Sequence, residues 1–108
     1  AIVVGARPAT LLASQAVMPI DFDELEIAGA LGGASLEVTQ CLESDIVVPA
    51  DAEIVIEGKI VAHRRAMEGP FGEFPQYYGE QAERHVIQVT KVTHRKDPIF
   101  HTIVGGGL

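Results

Sequence analysis

Glu68-Gly69-Pro70-Phe71-Gly72-Glu73-Phe74 is the stretch from which the rest of the chain can be laid out. Pro70 has no backbone N–H to donate, and the two glycines open turns closed to other residues, so neither a helix nor a central strand runs through it. It is a shaped loop between extended segments. Two carboxylates, Glu68 and Glu73, stand in it. Carboxylates held close together drive their proton affinities apart, so that one keeps a proton to deliver near neutral pH. An acidic, glycine-rich hairpin connection that is simply solvated accounts for the same residues. The local sequence leaves both readings open.

Working outward, residues 53–60 alternate, with Ile54 and Ile56 on one face and Glu53, Val55 and Glu57 on the other, the signature of a strand. Before it, 36–42 carries β-branched and apolar residues, Ile46-Val47-Val48 is a compact strand ended by Pro49, and Asp51-Ala52 reads as a turn. After the loop comes a polar stretch, 75–84, with Tyr77 and Tyr78 inside it. Residues 85–94 are extended again, and Val92 breaks the phase set by Ile87 and Val89, which predicts a bulge or an edge. Asp97-Pro98 turns the chain into a last strand at 99–104.

The N-terminal part differs. Ile2-Val3-Val4 is a short strand closed by Gly5 and Pro8, and residues 9–16, rich in Ala, Leu and Gln, form a short helix. Pro19 ends that unit. Asp21 reads as an N-cap with Glu24 in capping-box position, and this second helix runs to about Leu31 before Gly32-Gly33. The plan is α+β, mainly β with short helices: a small β-barrel with an N-terminal helical segment.

That second helix holds an anomaly. At about 100° per residue, Phe22, Leu25, Ala28, Leu31 and Ile27 form one apolar arc, and Glu24 falls inside it. A carboxylate on a buried face needs a charge partner, hydrogen bonds or a metal. A first-turn glutamate that caps its own helix is the competing reading, and the pattern alone does not choose.

Composition sets the bounds. A chain of 108 residues is one domain with a modest core. A net charge of −7 argues against a nucleic-acid surface, and the short run His63-Arg64-Arg65 is too small to change that. A lone cysteine, Cys41, gives no internal disulfide and suits a reducing cytoplasm. No apolar run reaches the length of a membrane span, and no signal peptide is recognisable. The chain opens on apolar Ala1 to Val4 and stops at Gly105-Gly106-Gly107-Leu108, the ends expected of a domain excised from a longer protein. Other chemistry is thin. His63, His85, His94 and His101 lack metal-site spacing, Cys41 has no base nearby in sequence, and the terminal glycines lack the helix of a phosphate cradle.

Four motifs taken together carry a resemblance. DELEIAGAL from Asp23, EIVIEG from Glu53, EGPFGEF from Glu68 with the Tyr77-Tyr78 pair behind it, and VTHRKDPIFHTIV from Val92 resemble the UbiD-type decarboxylases. The resemblance covers essentially the whole chain, including the spacings between motifs. It implies an FMN-binding split β-barrel, the middle domain of an enzyme several times longer, with N- and C-terminal domains of the same polypeptide as partners and homo-oligomers as the expected assembly. It also implies a carboxy-lyase acting on aromatic or α,β-unsaturated carboxylic acids through prenylated FMN, with a divalent metal, usually Mn2+, and K+.

Carried over residue by residue, the resemblance makes Glu24 the metal-binding glutamate at the cofactor phosphate. Glu73 becomes the acid that protonates the product carbon, and Glu68 a glutamate that pairs with an arginine lying upstream of this chain. Ser14 and Ala16 match positions near the potassium site, where backbone carbonyls serve, and Phe74 matches a substrate-facing side chain. Gly32 and Gln76 depart from the family pattern, where many relatives carry Arg and Gly. Two other readings compete: a flavin-docking or assembly module without chemistry, and a plain FMN-dependent oxidoreductase of the split-barrel type. The joint presence of Glu24, Glu68 and Glu73 favours the decarboxylase.

Overall fold

A computed structural model describes residues 1–73 and 77–105. In chain order the elements are β1 (Ile2–Val4), α1 (Pro8–Ala13), α2 (Glu24–Gly32), β2 (Val38–Gln40), β3 (Val47–Pro49), β4 (Ile54–Glu68) and β5 (Ala82–His94). Strands β1, β4 and β5 make an antiparallel sheet with β4 in the centre, and β2 and β3 pair as a separate two-stranded sheet. The mainly-β, α+β plan read from the sequence holds. The barrel is not closed among the described residues: no ladder joins the two sheets.

Each helix has a local cause. Pro8 opens α1, where a missing N–H is harmless, and α1 ends at Ala13, three residues short of expectation, with Ser14 as its C-cap. Helix α2 is capped by Asp23, whose carboxylate accepts the Leu25 N–H at 2.8 Å, and not by Asp21. Glu24 is therefore the first residue of the helix and does not occupy a capping-box position. Gly33 closes α2 in the left-handed conformation, φ 73°, as the glycine pair foretold. The apolar arc is also corrected. Helix α2 buries Ala28 and Gly29, while Phe22 and Leu31 stay more than half exposed and Glu24 is exposed. The wheel misled because α2 packs by its small residues: Gly29 lies against the backbone of residues 34–36, and α1 crosses at Ala9 beside Gly32.

Sheet alternation sets the core. Val55 and Glu57 share the buried face of β4, and Ile54 and Ile56 share the half-buried one. The core gathers Cys41, Val48, Ala52 and Val55, with Val3 packed against them, so the β2–β3 unit lies on the Val55 side of the sheet. The opposite face carries the register pairs Ile2, Ile56 and Val92, then Val89 opposite Gly58, then Ile60 opposite Ile87. Gly58 is required there, because a Cβ on it would stand 2.6 Å from the Gln88 carbonyl oxygen.

Two breaks interrupt the β4–β5 ladder. Glu57 pairs with Lys91 and Gly58 with Val89, leaving Thr90 as an extra residue, which is the bulge that Val92 signalled. Farther out, Ile60 pairs with Ile87 but Arg65 with His85, so four residues of β4 face one of β5. His63 sits in that skip at φ 57°, a left-handed position that few non-glycine residues occupy. Strand β4 thus runs eight residues beyond the predicted end, through the basic run. The strand expected at 99–104 does not form: Ile99 gives its N–H to the Glu53 carboxylate at 3.0 Å instead of to a neighbouring strand.

The uncovered face has a measurable consequence. Ile60, Ile87, Val89 and Val92 are each about half exposed or more on one side of a single sheet, and contiguous apolar patches beyond a few hundred Å² mark contact surfaces. A protein consisting of these residues alone is expected to self-associate at high concentration in sedimentation velocity runs. A strict monomer throughout the range overturns that expectation.

Candidate functional site

Beyond the end of β4 the chain pairs back on itself. The Gly79 N–H donates to the Phe71 carbonyl at 2.9 Å, Gly72 and Tyr78 form an antiparallel bridge, and the Glu73 N–H donates to the Tyr77 carbonyl at 2.9 Å. The sequence-predicted shaped loop is thus a continuation of the β4–β5 ribbon. Phe71, Tyr77 and Tyr78 stand exposed around it. Phe74, predicted to face substrate, lies outside the described residues.

The two carboxylates of the loop go to different stations. Glu68, the last residue of β4, stands 3.7 Å from the Arg84 guanidinium of β5, in an exposed ion pair. The sequence reading placed its arginine partner outside this chain; Arg84 supplies one within it. Glu73 folds back over the returning strand, its Oε1 against the backbone of Gly79. No hydrogen bond joins the two carboxyl groups among the described residues.

The helical segment presents the other candidates. Glu24 stands exposed at the N-terminal end of α2, where the helix dipole favours a negative charge. Ser14 follows α1, its hydroxyl donating to the Leu11 carbonyl at 2.8 Å, and the Ala16 N–H donates to Ala13. The carbonyl oxygens of Ser14 and Ala16 accept no hydrogen bond among the described residues, which leaves them able to face a cation. For a divalent metal the fit is partial. No group of three or more His, Cys, Asp or Glu side chains that could hold an ion occurs among the described residues. Glu24 offers one carboxylate, a single ligand and not a shell. Open grooves of about 620 Å³, between α2 and the β2–β3 unit, and about 560 Å³, beside the start of α1, leave Glu24, Glu68 and Glu73 out of their walls. All three acids lie on open surface.

The sequence reading missed one acid. Glu57 is 4% exposed, and its carboxylate accepts the N–H groups of Leu42 at 3.0 Å and Glu43 at 2.9 Å. Lys91, its register partner, also reaches Glu43 at 3.6 Å. Glu57 fastens the loop between β2 and β3 to the sheet. Its signal was present in the alternation that set it on the face of Val55.

Comparison with known proteins follows the same lines. The family model described as 3-octaprenyl-4-hydroxybenzoate carboxy-lyase Rift-related domain, of the UbiD family, matches residues 1–108. The UbiD-class enzyme HmfF from Pelotomaculum thermopropionicum, solved in complex with FMN, is 55% identical over 95% of this chain and 23% of its own, with a TM-score of 0.92. An evolved dimeric form of that enzyme was solved with prenylated FMN, at the same identity and a TM-score of 0.91, over 95% of this chain and 24% of its own. Vanillic acid decarboxylase from Sedimentibacter hydroxybenzoicus, in its open form, is 32% identical over 96% of this chain and 23% of its own, with a TM-score of 0.88. The chain spans about a quarter of the length of these enzymes. No helix among the described residues is long and apolar enough to cross a membrane.

Proposed function

We propose, from the premise that this chain belongs to the UbiD carboxy-lyase family, that it is the middle domain of a prenylated-FMN-dependent decarboxylase of aromatic or α,β-unsaturated carboxylic acids. The observation that carries the reading is the 55% identity, over nearly the whole chain, to a UbiD-class enzyme solved with FMN. The prenylated flavin, when bound, supplies an electron sink for the pair released as carbon dioxide leaves. This chain's residues do the rest of what falls to them. Glu73 delivers the proton to the product carbon. Glu68 pairs with Arg84 on the same β4–β5 ribbon. Glu24 would give one carboxylate to a divalent ion, Mn2+ in this reading, and the unspent carbonyls of Ser14 and Ala16 would face K+. Phe74 contributes to the substrate pocket.

The exposure of all three acids supports a site that other segments of a longer polypeptide complete, and residues 1–108 alone are read as inactive. The apolar sheet face supports docking against those segments and assembly into homo-oligomers. A lone, buried cysteine agrees with a cytoplasmic protein.

The test is made on the full-length protein, produced with a source of prenylated FMN, using vanillic acid and 3,4-dihydroxybenzoic acid among the probe acids. Carbon dioxide release with bound flavin is the expected result. Glu24→Gln keeps the side-chain size but weakens a charged metal ligand, so flavin and manganese content are expected to fall first, with turnover following the loss. A Glu24→Gln protein that retains both at wild-type levels removes Glu24 from the metal site.

A further inference from the structure

Gly79 carries a constraint that its backbone does not explain. It is not among the residues with positive φ, so its conformation is open to any amino acid. Across the hairpin, Phe71 stands opposite Gly79 and Glu73 opposite Tyr77, which makes Gly79 the diagonal neighbour of Glu73 on the same face. A Cβ on residue 79 would stand 2.9 Å from Glu73 Oε1 and 3.6 Å from its Cδ. The third of the nearest atoms, the Phe71 carbonyl oxygen, is at an ordinary contact distance of 3.7 Å. Among the described residues, the Glu73 carboxylate is what comes closest to the space left by the missing side chain.

We propose that Gly79 is a positioning residue for Glu73: the notch it leaves in the returning strand seats the carboxylate and fixes where the acid group is presented. Its effect on turnover rests on Glu73 as proton donor; the seating itself rests on geometry alone. A methyl group at position 79 displaces the end of a flexible side chain, not backbone, so the fold tolerates it while the carboxylate moves. Glu73→Asp, one methylene shorter, draws the acid back from the notch and no longer meets that methyl group. The two substitutions should therefore compensate.

The experiment uses the full-length protein. A crystal structure of Gly79→Ala is expected to show the Glu73 carboxylate displaced by about 1 Å or more, with the backbone at Phe71, Gly72 and Tyr78 in place. A misplacement of that size lowers kcat by roughly 10–100-fold, with KM for the probe acid and flavin content unchanged. Gly79→Ala with Glu73→Asp should turn over faster than Gly79→Ala alone, a rescue that general destabilisation does not produce. Glu73 in its original place in Gly79→Ala overturns the proposal. So does a double variant whose loss is the plain product of the two single losses. If Glu73→Gln turns over normally, the donor reading fails by itself, and the carboxylate displacement still decides the role of Gly79.

Discussion

Glu73→Gln is expected to lower carbon dioxide release by about 10² to 10⁴-fold, the range general acid catalysis contributes, while flavin content stays at the wild-type level. The amide has the size and hydrogen-bonding outline of the acid but cannot give up and regain a proton. Glu73 makes no ion pair among the described residues, and its backbone, not its side chain, holds the hairpin through the Tyr77 carbonyl. Folding should therefore be unaffected, which leaves turnover as a clean readout. Solvent deuterium entering the product carbon reports the same step. Near wild-type turnover by Glu73→Gln would mean that the proton comes from another group.

The largest effect on stability is expected at Glu57. Its carboxylate accepts two neighbouring backbone N–H groups in a site that is 4% exposed, and hydrogen bonds to a charged group contribute about 1.5–3 kcal/mol each. Glu57→Ala removes both acceptors at once. Water reaches part of the loop, so the loss should be about 2–4 kcal/mol in total, a large share of the roughly 5–15 kcal/mol that holds a domain together. In a domain of this size that lowers Tm by about 10 °C or more. Glu57→Gln keeps one acceptor oxygen but turns an NH₂ group toward a backbone donor, so it should fall between. Removing the exposed Glu43–Lys91 pair should change little by comparison. A melting curve for Glu57→Ala within a degree of wild type would show that the loop is held by other contacts.

Why Glu57 escaped the sequence reading is instructive. Alternation correctly placed it with Val55, but alternation alone does not say which face of a strand is covered. A face with two isoleucines opposite one with two glutamates gives no hint that the glutamate face is the covered one. The partners that make the carboxylate acceptable inside are backbone amides 14 and 15 residues away, and such partners leave no mark on composition. Glu24 failed in the opposite way. The helical wheel put it on a buried arc, but the face α2 buries is set by the small residues Ala28 and Gly29, which let neighbouring backbone come close. Local signals fared better: the glycine stop of α2 and the bulge near Val92 were legible because each is decided within a few residues. The strand expected at 99–104 had the right composition, yet a strand forms only where an edge is offered, and Glu53 takes the Ile99 amide instead.

The skip in the β4–β5 ladder around His63 divides the ribbon into two segments joined in series. The inner one is bolted to the core through Val55 and Glu57. The outer one carries Glu68 and Glu73. From the Arg65–His85 pair to the Glu68–Ala82 pair the outer arm extends three residues, roughly 10 Å at the rise of a strand, before Gly69, at φ 82°, turns the chain toward Phe71. On an arm of that length, a tilt of about 5° at the skip moves its end by roughly 1 Å. The skip is thus a fulcrum. A substitution at Ala62, His63 or Arg64 is therefore expected to shift the hairpin that carries Glu73.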